Sequence, residues 1–238
     1  MPLLHTFRRT SLELIQMLGT HLSIDEMMIR FSGRSGQTHR MKNKPVKEGY
    51  KWMVLTDSVT SFIVNFTPDG RTAGVQGRGI DEVEHGSDGK IFSLIHYLVI
   101  PVIESVRETK RKYVIAMDNY FTLPKVMHML RSYGIGCVGT ARFRPGWPGQ
   151  NIKEIDEKQL DFNELHWSVD ALGTLLIRWM DNGLVFLVST VHKVSQIVKR
   201  GRKRPRASVR NKSHVSRVWG NKGMQFVFIL FVHLVHCY

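Results

Sequence analysis

Between Ile91 and Ala141 the chain alternates between helical and strand patterning, and this alternation constrains its fold more than any other feature. IFSLIHYLVIPVIESVR, residues 91–107, predicts a mostly apolar helix. Pro101 either kinks that element or splits it, because proline lacks the amide a helix interior needs. KYVIAMDNYF then predicts a short buried strand ending in Asp118-Asn119. LPKVMHMLRSYG predicts a helix with Pro124 in its first turn and Gly134 after its end, and IGCVGTA a further strand. VIAM and IGCVG are apolar throughout rather than alternating. That is the pattern of strands joined through a helix and covered on both faces.

Upstream, residues 3–18 place Leu4, Phe7, Leu12, Ile15 and Leu18 at helical spacings before Gly19, predicting an amphipathic helix. HLSIDEMMIRF predicts a strand whose apolar residues bracket Asp25 and Glu26. GRSGQTHRMKNKPVKEG reads as a glycine-rich basic loop. YKWMVLTD and SFIVNF, split at Asp57-Ser58, predict an antiparallel hairpin. PDGRTAGVQGRGIDEVEHGSDG is a long turn-rich connection, and the glycine spacing of GVQGRG (74–79) fails as a dinucleotide fingerprint. A meander followed by alternating helix and strand calls for an α/β (α+β) fold, a mixed sheet with helices packed on it.

After Arg144 the texture changes. RPGWPGQ reads as a hinge, EIDEKQLDFNE is polar and acidic, and HWSVDALGTLLIRWMDNGLVFLVSTVH predicts strands with a hairpin turn at Asn182-Gly183. A separate small β unit is expected there. From Lys193 to Lys222 the chain is basic, and it ends in FVFILFVHLVHCY, well short of the roughly 20 apolar residues that span a bilayer. No membrane partner is expected. The expected layout is an N-terminal helix at 1–20, the first part of the main α/β domain at 21–143, a β-rich insertion with a basic segment at 144–217, and a divergent apolar tail at 218–238.

The 34 Lys+Arg against 20 Asp+Glu give a formal net charge of +14. Every acidic residue lies at or before Asp181, so the excess sits in a tail, as a polyanion partner such as DNA would require. A solvated linker or a nuclear address accounts for the same tail. Cys137 and Cys237 are too few for a disulfide framework or a four-cysteine zinc site. His192, His214, His233 and His236 lack partner cysteines at zinc-finger spacing. The arginines of MPLLHTFRRTSLELIQML lie inside the apolar stretch, unlike a signal peptide. A reducing intracellular compartment is expected.

Asp25, inside an apolar strand, and Asp118, at the end of another, are the candidate chemical groups. A carboxylate among buried neighbours needs compensation, and a divalent cation supplies it. Paired carboxylates holding Mg²⁺ or Mn²⁺ serve many phosphodiester-cleaving sites. The alternative is that Asp118-Asn119 caps the next helix and Asp25 faces solvent.

LSIDEMMIRFSGR, KNKPVKEGYKWMVLTDS, VIAMDNYFTLPKVMHMLRSYGIGCVGTARFRP and WMDNGLVFLVSTVH follow one another in order, and together they resemble the piggyBac family of transposases and their domesticated derivatives. The resemblance runs from about Leu22 to Trp219. It implies an RNase H-like core that cuts and joins DNA strands with two metal ions, Mg²⁺ or Mn²⁺, held by three aspartates, a nuclear protein, and a homodimer in the full-length family. Asp25 of SIDE and Asp118 of MDN match two of the three. The inserted β-rich domain of the family corresponds to residues 144–217.

The third family aspartate lies beyond that insertion, where this chain reads MQFVFILFVHLVHCY after the match in NKSHVSRVWG. Asp181 precedes a hairpin turn and reads as a turn residue. The expectation is a C-terminally truncated or frame-shifted copy with an incomplete RNase H-like sheet, impaired in catalysis; the alternatives are a domesticated DNA-binding protein without chemistry or a non-functional remnant. The expected DNA contacts are Arg34, Lys42, Lys44 and Lys47, clustered with Arg40 and Lys51 near Asp25 in sequence, and Lys199, Arg200, Arg202, Lys203, Arg204 and Arg206 of the tail. The alternative for the first group is a solvated basic loop. Trp147 and Trp167 either stack on an unpaired base or pack in the core.

Overall fold

The computed structural model describes residues 2–14, 18–42, 44–69, 86–142, 164–180 and 183–194, with isolated positions and pairs at 147, 149, 152, 155, 160–161, 202–203 and 224–225. The chain divides into two compact units, Met1–Ala116 and Met117–Tyr238.

The first unit begins with α1 (Pro2–Leu14). The expected extension of this helix to residue 18 crosses positions 15–17, outside the described residues. β1 (His21–Arg30) follows, then β2 (His39–Arg40), β3 (Glu48–Asp57), β4 (Ile63–Pro68), α2 (Gly86–Ser105), a 3-10 turn at Arg107–Thr109, and β5 (Val114–Met117), which reaches the boundary. β1 and β3 pair antiparallel from Leu22↔Asp57 to Arg30↔Gly49. The other edge of β3 takes β4 along most of its length and β2 at its start, His39↔Gly49 and Arg40↔Glu48. The basic segment expected to be wholly loop therefore contains a two-residue strand, too short for periodicity to reveal.

Cross-strand pairs share a sheet face, so Ile24, Leu55 and Asn65 form one row. Asn65 is fully buried and its amide donates to the carbonyls of Leu98 (2.7 Å) and Tyr97 (3.3 Å), placing α2 over that face. Ile91, Ile95, Leu98, Val99 and Val102 of α2 are buried with it. Pro101 lies inside one continuous helix, on its exposed side, so the element is neither split nor begun at residue 91 but five residues earlier. Proline leaves the carbonyl four residues back without its helical donor; that carbonyl is Tyr97's, and the Asn65 amide reaches it.

In the second unit α3 (Pro124–Ser132) has Pro124 at its first position, and Gly134 ends it with φ +73°, while the Ile135 amide reaches back to Leu130 O at 3.0 Å. β6 (Gly136–Thr140) follows, then β7 (Leu165–Val169), β8 (Leu175–Met180) and β9 (Leu184–Ser189). β8 and β9 pair antiparallel to Met180↔Leu184, the expected hairpin, although Asp181-Asn182 itself lies outside the described residues. β9 also pairs antiparallel with β6, Val138↔Ser189 to Thr140↔Leu187. The strands after residue 144 thus extend β6, in the order β6-β9-β8-β7. Phe121, Leu130, Cys137, Val138, Leu176, Trp179 and Val188 fill this unit's core. Two-residue strands β10 (Arg202–Lys203) and β11 (Met224–Gln225) pair antiparallel. The hinge at RPGWPGQ is described only at Trp147, buried, and Gly149; GVQGRG, His214, His233, His236, Cys237 and the apolar tail lie outside the described residues.

Candidate functional site

Asp25 stands on β1 opposite Val54. Successive strand residues point to opposite faces, so Asp25 shares its face with Ser23, Met27, Thr56 and Trp52, away from α2. Ser23 and Thr56 hydroxyls bond across the strands at 2.7 Å. The Asp25 carboxylate is half-buried rather than solvent-facing, and its Oδ1 accepts the Glu26 amide at 2.7 Å. Glu26 faces the other way, 3.6 Å from both Lys44 and Lys51; Lys51 also lies 2.9 Å from Asp69.

Asp118 follows β5 directly and belongs to the second unit, whereas Asp25 belongs to the first. Its Oδ1 accepts the amides of Tyr120 (2.8 Å) and Phe121 (3.4 Å), and its carbonyl accepts both the amide (3.1 Å) and hydroxyl (2.7 Å) of Thr122. The alternative that Asp118-Asn119 caps the next helix does not hold: Leu123 is the N-cap of α3, with no side-chain bond, and Asp118 instead braces its own turn.

Carboxylate oxygens are the donors Mg²⁺ and Mn²⁺ take, so Asp25 and Asp118 fit in kind. Among the described residues no group of three or more His, Cys, Asp or Glu side chains is placed to hold a metal ion.

Of the first basic cluster, Arg34, Arg40, Lys42 and Lys47 are exposed, while Lys44 and Lys51 are engaged by Glu26 on the α2 side of the sheet. Arg202 and Lys203 form β10; Lys199, Arg200, Arg204 and Arg206 lie outside the described residues. Trp167 is exposed on β7. Among the described residues no helix is long and apolar enough to cross a membrane.

Sequence reading misses the settings of several side chains that the second unit buries or half-buries. Asp170 accepts the amides of Thr174 (2.7 Å) and Leu172 (2.9 Å) and lies 3.3 Å from His128 Nε2. Burial raises its pKa, but these bonds outweigh burial and hold the carboxyl below the usual aspartate range. Burial lowers the His192 pKa, and Ser189 Oγ sits 2.9 Å from its Nδ1. Burial also pushes the Cys137 thiol up to about 11, making it a packing residue and not a nucleophile. Arg178, 3% exposed, donates to Ile152 O at 2.8 Å. For Asp170 and Arg178 the partners His128 and the Ile152 carbonyl lie on distant segments, which no local motif reveals.

Comparison with known proteins agrees with the family resemblance. Human PiggyBac transposable element-derived protein 3 is 27% identical over 173 residues, 72% of this chain and 27% of that protein. Human PiggyBac transposable element-derived protein 2 is 26% identical over 196 residues, 81% of this chain and 31% of that one. The chain therefore spans about a third or less of the length of these relatives. The cryo-EM structure of a piggyBac transposase synaptic complex with hairpin DNA superposes with a TM-score of 0.62 at 24% identity, covering 82% of this chain and 37% of that one, so the two share the mixed α/β, RNase H-like fold. The family model described as Transposase IS4 matches residues 2–218. With nine-tenths of its length matched, the chain belongs to the Transposase IS4 family, in its piggyBac type.

Proposed function

We propose that the chain binds DNA as a transposase-derived protein, with Asp25 and Asp118 each serving as a divalent-metal ligand. The observation that carries this reading is the setting of the two acids. Asp25 is half-buried on the sheet face away from α2, and Asp118 is held at a strand end by two backbone amides. Each is oriented by the backbone before any ligand arrives, as a metal-holding carboxylate needs to be. When bound, Mg²⁺ or Mn²⁺ would supply activation of water and stabilisation of a departing oxygen.

Arg34, Lys42 and Lys47, exposed in the first unit, and the basic run 199–206 would contact phosphates; the run also suits nuclear import.

Fluorescence anisotropy with a labelled duplex, alongside plasmid nicking in Mn²⁺, tests this. The expected result is binding that weakens as salt rises. Nicking retained in both Asp25→Ala and Asp118→Ala would overturn the metal reading; no binding at low salt would overturn the DNA reading itself.

A further inference from the structure

MDNYFT and GTARFR both lie in the third of the four sequence blocks behind the family resemblance, and in the second unit they meet at one point. Thr122, 1% exposed, donates its hydroxyl to the Asp118 carbonyl at 2.7 Å, and its own amide donates to the same oxygen at 3.1 Å. In the opposite sense the Asp118 carboxylate accepts the amides of Tyr120 and Phe121. Main chain and side chain of Asp118 are thus tied to the same five-residue turn, so any rotation of that residue strains both sets of bonds.

Gly139 of β6 lies against this turn. A Cβ there would overlap Thr122 Oγ1 and stand 2.9 Å from the Met117 carbonyl and 3.2 Å from Thr122 Cγ2. Any other residue at 139 must push β6 away or turn Thr122 out of its bonded rotamer. The close approach, not a positive φ, is what demands glycine here.

We infer that Thr122 is a positioning residue for Asp118, acting through its hydroxyl, and that Gly139 is the residue that admits it. The inference deepens the reading of Asp118 as a metal ligand and rests on that reading only for its functional consequence. A packing role for Thr122 makes the opposite prediction. Valine fills the same volume without the hydroxyl, whereas serine keeps the hydroxyl and loses a methyl.

The test compares Thr122→Val, Thr122→Ser and Gly139→Ala in the full chain, reading amide hydrogen exchange at Tyr120 and Phe121 without metal, then paramagnetic broadening of those amides by Mn²⁺. Thr122→Val and Gly139→Ala should speed exchange at both amides roughly tenfold, the weight of one net hydrogen bond, and raise the Mn²⁺ concentration for half-broadening, while Thr122→Ser stays near wild type. Thr122→Val matching wild type while Thr122→Ser is disturbed would overturn the inference in favour of packing. Exchange decides the positioning by itself. Wild-type protein that Mn²⁺ does not broaden would sink the metal reading instead.

Discussion

Asp57 is 4% exposed, and its two carboxylate oxygens accept the amides of Gly19, Val59 and Thr60 at 2.7, 2.8 and 3.1 Å. It closes the turn between β3 and β4 and ties the approach to β1 onto the same point. Replacing it by alanine strands three donors, so Asp57→Ala should cost about 3 kcal/mol of unfolding free energy in urea titrations. Asp57→Asn, which keeps one acceptor oxygen, should cost less. Asp170 makes a prediction in pH. Its carboxyl titrates below the ordinary aspartate range when folded, so its contribution to stability is present in full above the unfolded-chain value and is lost as pH falls through the folded pKa. Asp170→Asn should lower the melting temperature at pH 6 and flatten its decline below pH 4, measured by circular dichroism. Residues of this kind are partly legible. Asp25 and Asp118 stand out because each interrupts an apolar β run, whereas Asp57 and Asp170 look like ordinary turn residues until their amide partners are known.

At the scale of elements, α2 survives an internal proline because another element supplies the missing donor. Arg8 of α1 joins the arrangement: its Nε donates to Asn65 Oδ1 at 2.8 Å, its guanidinium lies 4.0 Å from the centre of the Tyr97 ring, and it bonds the Tyr97 hydroxyl. One buried asparagine therefore joins α1, β4 and α2. Asn65→Ala should destabilise by about 2–3 kcal/mol, since buried carbonyls lose their partner. In the Pro101→Ala background the helix regains an amide for Tyr97, and the same substitution should cost about 1 kcal/mol less; a double-mutant cycle by thermal denaturation reads the coupling. The sequence of α2 poses the difficulty, an apolar helix with proline inside, but the remedy sits more than thirty residues upstream on a strand. α3 differs because Pro124 and Gly134 mark its ends locally, and its range is legible from those two residues. β2 has no such mark.

Across the whole molecule, charge and core are distributed differently. Each unit buries its own set of large apolar side chains, while the acid-free stretch after Asp181 carries 11 of the 34 basic residues. Substituting Lys199, Arg200, Arg202, Lys203, Arg204 and Arg206 by glutamine should reduce the slope of log affinity for DNA against log salt by roughly 5, at about 0.9 per phosphate neutralised. A slope that does not change would place the phosphate contacts elsewhere, on Arg34, Lys42 and Lys47. The antiparallel joining of β9 to β6 was not legible because both are short apolar runs and either could pair with several others. The glycine that fits β6 to the Asp118 turn declares itself only once both are in place. The Glu26 ion pairs, described above as facing away from the candidate chemistry, have a bearing on how β1 finds its partner during folding. A slip of one residue against β3 would carry Asp25 to the α2 side, bury its charge there, and pull Glu26 from Lys44 and Lys51. Two adjacent acids, one matched with lysines and one left for another purpose, thus make the misaligned strand pair costlier than the native one and fix which carboxylate emerges on which side of the sheet.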